Sequence, residues 1–176
     1  QVTGNVKQLC DAAQEACKEL GYQVIRVTDE LDCEAYQAGE MLVRLAEKYQ
    51  NEIEILCGIE QDFCSNVSTK GYDYVIGSVH YTEKDGQYYC VDESPEVLEK
   101  AIREGFGGDV YALTKRFFEM EAEVVQKTNA AFIGHFDLVT KFNEGNRFFD
   151  PMDKRYRHAA LEAMDALIET GRPFEI

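Results

Sequence analysis

The sequence predicts an α/β fold with mostly parallel strands, arranged as an incomplete β/α barrel. Apolar residues switch repeatedly along the chain between the period of a helix and the period of a strand. The connections between these segments are short, which is typical of helices that alternate with parallel strands. The predicted strands are short and β-branched, as in sheets that are covered on both faces. A complete barrel usually needs about 250 residues. The chain has 176 residues and five predicted strands, which favours a partial barrel.

The N-terminal third is predicted to alternate between helix and strand. An amphipathic helix ends at Gly21, because glycine favours helix C-termini. Its apolar positions are Val6, Leu9, Cys10, Ala13, Cys17 and Leu20. Residues 23–28 are then predicted as a strand, residues 38–49 as a second amphipathic helix, and residues 53–57 as a β-branched strand.

Turn and cap signals organise the middle of the chain. Residues 73–78 (Asp-Tyr-Val-Ile-Gly-Ser) form the next predicted strand. Lys84-Asp85-Gly86 is a turn signal with tyrosines on both sides, which predicts a hairpin or a surface loop. Ser94-Pro95 predicts a helix start, because serine caps helices and proline suits the first helical position. We expect this helix to end near residues 105–108.

The C-terminal part continues the same alternation. A helix is predicted from an apolar stripe at Val110, Leu113, Phe117, Met120 and Val124. Residues 130–134 are predicted as a strand, and residues 173–176 as the beginning of a last strand. Between them lies the strongest stripe, which ends at Gly171 and comprises Tyr156, Ala159, Ala160, Ala163, Met164, Leu167 and Ile168. Because the chain starts at Gln1 and stops within a strand, we expect truncation at both ends.

Composition narrows the classes of function. With 45% hydrophobic and 29% charged residues, the chain can bury the core of a single domain. Lysine and arginine total 18 against 33 acidic residues, a net charge of −15. This balance argues against nucleic-acid binding and against a polybasic membrane surface, since both depend on cationic side chains. A site for an anionic substrate would need local positive charge, and a metal ion supplies it economically.

The sequence also predicts a reduced, cytoplasmic protein. It contains no apolar run near the roughly 20 residues of a membrane span and no secretory leader pattern. The six cysteines form no Cys-x-x-Cys pair. Most of them lie within apolar patterns, as buried thiols do.

Three residues that can bind a metal follow predicted strands: Glu60, His80 and His135. The carboxyl ends of parallel strands open on one face, where active sites are built. Taken alone, a glutamate after a strand is often a helix cap or a surface residue, but three such residues on one face favour a metal site. Asp137 could accept the other N–H of His135, or it could cap a turn. His158 falls inside the last predicted helix, and we assign it no role.

Around these residues the sequence resembles a known superfamily. The strings are Leu56-Cys57-Gly58-Ile59-Glu60, Tyr72-Asp73-Tyr74-Val75-Ile76-Gly77-Ser78-Val79-His80 and Phe132-Ile133-Gly134-His135-Phe136-Asp137-Leu138-Val139. They resemble the PHP (polymerase and histidinol phosphatase) superfamily, and most of all its monofunctional histidinol-phosphatase branch. Phe174-Glu175-Ile176 resembles the start of a later strand of that branch. The similarity runs in order from about Ala38 to Ile176.

The resemblance implies a distorted seven-stranded β/α barrel that holds two or three divalent ions, of zinc, manganese or iron. It implies hydrolysis of L-histidinol phosphate, a step of histidine biosynthesis, by attack of metal-bound hydroxide. Carried over by position, Glu60 matches the bridging carboxylate, and His80 and His135 match two histidine ligands. Lys141 falls where the family often has a basic residue, and either contacts the substrate phosphate or is a solvated surface lysine.

The chain also departs from the family pattern. It lacks the His-x-His pair of the first strand, and Thr28-Asp29-Glu30 ends in glutamate where the family usually has histidine. The final Asp-x-His motif would lie beyond Ile176. We therefore expect residues 1–176 to be one partial PHP-like domain in which residues 1–37 match weakly. Another PHP-type phosphoesterase and a non-catalytic partial domain stay open as alternatives, as does the oligomeric state.

Overall fold

The computed structural model describes residues 56–175, together with residues 47, 48 and 51. The predicted helix ending at Gly21, the predicted strand 23–28 and Glu30 lie outside the described residues. Of the predicted helix 38–49, only Glu47 and Lys48 are described, and both are helical. The chain divides into two compact units, Gln1–Cys57 and Gly58–Ile176. The second unit contains nearly all the described residues.

In the described part of the second unit, four strands are followed by two helices, a strand and a helix, so the predicted alternation of helices with strands holds only from the second of these helices onward. In chain order they are β1 (Gly58–Asp62), β2 (Tyr74–Ser78), β3 (Tyr81–Lys84), β4 (Gln87–Cys90), α1 (Pro95–Lys100), α2 (Val110–Thr128), β5 (Phe132–Ile133) and α3 (Lys154–Glu169). Ala101–Gly105 continues α1 as a π-helical turn, and short 3₁₀ turns lie at Leu138–Thr140 and Glu144–Asn146. In the described part of the chain, no helix is both long enough and apolar enough to span a bilayer.

A parallel sheet forms the centre of the unit, with the strand order β1–β2–β5. Gly58 to Asp62 pair in register with Tyr74 to Ser78, and Ile76 pairs with Phe132. Phe174 extends the sheet beyond β5 through a parallel bridge to Ile133. There the backbone N–H of Glu175 donates to Ile133 O at 2.8 Å. The α/β class and the mostly parallel strands are confirmed, and the described strands form an open sheet rather than a closed barrel.

The position of β1 corrects one sequence-based prediction. The sequence indicated a strand at 53–57, of which residues 53–55 lie outside the described part and 56–57 are not in a strand. The strand instead runs over Gly58–Asp62, so Glu60 lies inside it rather than after it. Its end is set by pairing with β2, which continues as far as Asp62 opposite Ser78.

The predicted hairpin is confirmed as the antiparallel pair β3–β4. Lys84 pairs with Gln87, which leaves Asp85 and Gly86 as the two turn residues. Both have positive φ, 54° and 76°. This is the geometry of a type I′ turn, for which Asp-Gly is a favoured sequence.

Helix α1 begins at the predicted Ser94 cap, and α2 packs against β2 and β5 of the sheet. The Ser94 side chain accepts a hydrogen bond from Val97 N at the start of α1, and Asp109 caps α2 in the same way. Gly77 faces α2 so closely that a Cβ there would lie 2.6 Å from Thr128 Oγ1. Helix α3 packs on α2 and buries Tyr156, Ala159, Ala163 and Leu167. Ile168, at the edge of the predicted stripe, is 60% exposed.

Candidate metal centre

The structure brings together the three predicted ligands, although they are distant in sequence. Glu60 lies in β1, His80 comes two residues after β2, and His135 comes two residues after β5. Each offers one ligand atom, and these atoms all lie within 4.8 Å of one another. They meet at the carboxyl edge of the sheet because the three strands are parallel neighbours.

Both imidazoles point the same nitrogen at one carboxylate oxygen. His80 Nε2 lies 3.3 Å from Glu60 Oε1, and His135 Nε2 lies 3.1 Å from the same atom. The two rings meet edge to face, with their centroids 4.9 Å apart. The three side chains are between 25% and 40% exposed, so the cluster is backed by protein but open to solvent.

Asp62 holds His80 in this orientation, and the sequence analysis missed it. Asp62 Oδ2 accepts a hydrogen bond from His80 N at 2.8 Å and lies 3.2 Å from His80 Nδ1. Its other oxygen accepts from Cys64 N at 2.7 Å. A proton on Nδ1 that faces Asp62 leaves Nε2 as the donor atom for a metal. The available signal was the i, i+2 spacing of Glu60 and Asp62, which puts both on one face of a strand.

The charges of the cluster stabilise each other. Hydrogen bonds from His135 and His80 hold the pKa of Glu60 well below its ordinary value, although burial opposes this shift. Burial lowers the pKa of His80, but hydrogen bonds to Asp62 and Glu60 and the charges of Glu60 and Asp92 outweigh it and raise the pKa to about 10. Burial disfavours the charged form of Asp62, yet its hydrogen bonds with His80 and Cys64 lower its pKa overall. The site therefore stabilises a positive charge between carboxylates, as a cation site must.

Asp137 does not make the predicted contact with His135. In the described part of the chain, His135 Nδ1 is buried and has no hydrogen-bond partner. The Asp137 carboxylate instead accepts from Thr140 Oγ1 at 3.5 Å, and its backbone oxygen accepts from Thr140 N at 2.8 Å. Asp137 thus begins the 3₁₀ turn Leu138–Thr140, because the chain turns away from the sheet directly after His135.

Lys141 is anchored beside the segment that follows β4. Its Nζ donates to Asp92 O at 2.7 Å and lies 3.6 Å from the Asp92 carboxylate. Asp92 is also one of the carboxylates whose charge acts on His80. Lys141 is therefore joined to the surroundings of the cluster through Asp92, and its contact with substrate stays a prediction.

Comparison with known proteins identifies the family. A family model described as the PHP domain matches residues 3–176. The chain belongs to the PHP domain family. This PHP domain is also similar to a protein of Schizosaccharomyces pombe named "Probable histidinol-phosphatase", with 32% identity over 108 residues. That match covers 56% of the chain and only 34% of the yeast protein, so the chain spans about a third of its relative's length.

A second carboxyl group of this PHP domain, buried in α2, was also missed by the sequence analysis. Glu121 of α2 is 0% exposed, and neither of its oxygens has a hydrogen-bond partner among the described residues. Burial raises its pKa well above the ordinary value; the charge of His80 opposes this shift, and the charges of Asp62 and Asp137 add to it. By its position along α2, Glu121 lies among the residues that face the core. No motif in the sequence distinguished it as a functional residue.

The side chains of the cluster fit the divalent metals that PHP domains bind. Two imidazole nitrogens and a carboxylate form a mixed N/O donor set of the kind that zinc, manganese and iron accept. Asp62 supplies the carboxylate that metal-binding histidines commonly need at their other nitrogen. The buried Nδ1 of His135 still lacks such a partner. The residues thus match a metal centre in which one histidine has a hydrogen-bond partner at its second nitrogen and the other has none among the described residues.

Proposed function

We propose that this chain is the metal-binding part of a phosphoric monoester hydrolase that converts L-histidinol phosphate into L-histidinol and phosphate. The convergence of Glu60, His80 and His135 within 4.8 Å carries the proposal. Membership of the PHP family and the similarity to a yeast protein named probable histidinol-phosphatase support the substrate. The activity would belong to histidine biosynthesis.

The cluster would hold two or three divalent ions of zinc, manganese or iron, through Glu60, His80 and His135. Such ions, when bound, lower the pKa of water and stabilise negative charge on phosphoryl oxygens. Glu60 suits the bridging role, because its two carboxylate oxygens can bind separate ions. His80 and His135 each offer a neutral nitrogen, which leaves the positive charge of the ions available to the substrate.

The other residues of the chain would orient and select. Asp62 keeps the Nδ1 proton of His80 and so presents Nε2 to the centre. We assign Lys141 to the substrate phosphate, since its ammonium lies next to Asp92 near the cluster. A phosphate dianion approaching a chain of net charge −15 needs such local attraction.

The proposal includes the surroundings of the site. We infer that β1, β2, β5 and the segment at Phe174 are consecutive strands of a distorted seven-stranded barrel, because they are parallel neighbours in chain order. The net charge of −15 argues against a nucleic acid or a membrane as partner, and we propose a small phosphorylated substrate. We assign the protein a reduced, cytoplasmic location, since Cys64 and Cys90 are free thiols in the described part of the chain.

Phosphate release from L-histidinol phosphate tests the proposal directly. The full protein would be stripped of metal, reloaded with zinc, manganese or iron in turn, and compared on histidinol phosphate and on other small phosphate monoesters. We expect turnover to require metal and to fall at least about 100-fold in Glu60→Gln, His80→Gln and His135→Gln. His158→Gln is the matched control, since His158 is exposed on α3 and pairs only with Glu162 among the described residues.

The results separate the alternatives. Faster turnover of another monoester would show that histidinol phosphate is not the substrate and would favour another PHP-type phosphoesterase. Metal binding without turnover of any monoester would indicate the non-catalytic partial domain. Full activity of the metal-free protein would exclude the proposed chemistry.

A further inference from the structure

The two imidazoles of the cluster are supported unequally. His80 has a carboxylate, Asp62, at its second nitrogen. The corresponding nitrogen of His135 is buried and has no partner in the described part of the chain. Buried polar atoms without partners are rare in folded proteins, and each one calls for an explanation.

Glu121 of α2 is a buried hydrogen-bond acceptor without a donor in the described part of the chain. Its side chain is fully buried, and both of its oxygens lack a partner among the described residues. A buried carboxyl group without hydrogen bonds destabilises a fold, so an apolar side chain at this position of α2 would be the more stable choice. Glu121 and the Nδ1 of His135 are thus both buried polar groups without a hydrogen-bond partner among the described residues.

The packing of α2 aims Glu121 at the ends of β2 and β5. One turn after Glu121, Val124 lies against Gly77 of β2. One turn before it, the Phe118 ring packs on Phe136, with 5.2 Å between centroids. Glu121 shares this buried face by its i, i+3 spacing, so it lies between a contact to β2 and a contact to the residue that follows His135.

When His135 binds a metal, its second nitrogen needs a hydrogen-bond acceptor, and Glu121 can supply one. His135 Nε2 lies 3.1 Å from the Glu60 carboxylate, so this nitrogen faces the place where the cluster would hold an ion. A neutral imidazole that binds an ion through Nε2 has its single N–H at Nδ1. A buried Nδ1–H needs an acceptor, and the acceptor on a metal-binding histidine is commonly a carboxylate.

We propose that Glu121 is the positioning residue of His135, accepting its Nδ1–H directly or through one buried water when a metal occupies the cluster. The inference rests on the metal site of the proposed function. It assigns to Glu121 the role that Asp62 fills for His80, and it removes that role from Asp137.

Zinc binding by the full chain tests this role without any assay of turnover. Titration calorimetry with zinc would compare wild type with Glu121→Met and Glu121→Gln. We expect Glu121→Met to lose roughly 10- to 100-fold in zinc affinity, as loss of an outer hydrogen bond to a metal ligand does. Glu121→Gln keeps a carbonyl acceptor and should recover most of the affinity. Glu119→Met is the matched control, because Glu119 lies exposed on the same helix and pairs with Lys115 and Arg116.

Two further measurements distinguish loss of the positioning of His135 from a general loss of folded structure. The chain has only three histidines, so ¹⁵N-histidine NMR resolves each ring. In the zinc-loaded protein, the Nδ1–H of His135 should be protected from solvent exchange in wild type and Glu121→Gln, and lose that protection in Glu121→Met. Metal-free Glu121→Met should unfold at the same or a higher urea concentration than wild type, since it buries no lone carboxyl group.

Each outcome decides the inference. Wild-type zinc affinity and unchanged Nδ1–H protection in Glu121→Met would overturn it and leave the proposed function standing. The same holds if Asp137→Asn, and not Glu121→Met, weakens binding. If wild type, while remaining folded, binds none of zinc, manganese and iron, both the metal site and the role of Glu121 are wrong.

Discussion

Asp62 and His80 are joined through the backbone and through the side chain at the same time. Asp62 Oδ2 accepts from His80 N at 2.8 Å and lies 3.2 Å from His80 Nδ1. The backbone bond fixes where the residue after β2 lies, and the side-chain contact fixes how its ring is turned. Together they aim Nε2 at Glu60, so the orientation of one ligand depends on a neighbouring strand.

Asp62→Asn should weaken metal binding without removing a ligand. Because the amide cannot act as a charged acceptor for Nδ1–H, we expect zinc affinity to fall by roughly 10- to 100-fold. Calorimetric titration measures the loss, with Asp165→Asn as the control on an exposed position of α3. Equal affinities in the two variants would show that Asp62 does not position His80.

The stability of the metal-free protein should fall as the pH rises from about 7 to about 10. His80 has its pKa raised from 6.5 to about 10, because the hydrogen bonds to Asp62 and Glu60 outweigh burial. A raised folded-state pKa contributes stability that is fully present below the unfolded-state value and is lost as the pH rises through the folded-state value. Urea unfolding of wild type and His80→Gln would isolate this contribution. The difference in unfolding free energy between the two should shrink across this range, and a constant difference would contradict the prediction.

Metal binding should release protons near neutral pH. His80 carries a proton in the metal-free cluster, and an ion can bind Nε2 only after that nitrogen is deprotonated. Zinc titrations in buffers of different ionisation enthalpy should therefore show release of about one proton at pH 7. Removing zinc with a chelator should reverse this release, so that the protein takes up about one proton. Binding that is independent of pH between 6 and 8 would argue against His80 as a ligand.

Gly77→Ala should destabilise the fold by disturbing the packing of the sheet against α2. A Cβ at this position would lie 2.6 Å from Thr128 Oγ1 and 2.8 Å from Ala130 Cβ. We expect a loss of about 1–3 kcal/mol in unfolding free energy, as for other overpacked core positions. Urea denaturation measures it. Gly77→Ala combined with Thr128→Ala should recover part of the stability only if the clash with the threonine side chain is the cause.

Local signals predicted local structure well in the described part of the chain. Ser94-Pro95, Asp85-Gly86 and the stripe of α3 each specify an element through residues within a turn of one another. The end of β1 was displaced because pairing with β2, and not β-branched composition, decides where that strand stops. Ile168 belongs to the periodic stripe, but it is exposed because no described element covers that edge of α3.

The identities of Glu60, His80 and His135 were readable from the chain, since each lies at or near the end of a parallel strand and the ends of parallel strands share one edge. The roles of their supporting residues were not. Asp62 reaches a residue 18 positions away, His135 lacks the neighbour that proximity in sequence suggested, and Glu121 is distinguished only by the partners it lacks. Sequence patterns report periodicity and capping, which act over a few residues. Burial and hydrogen bonding between remote segments depend on how β1, β2, α2 and β5 pack, and only the folded chain decides that.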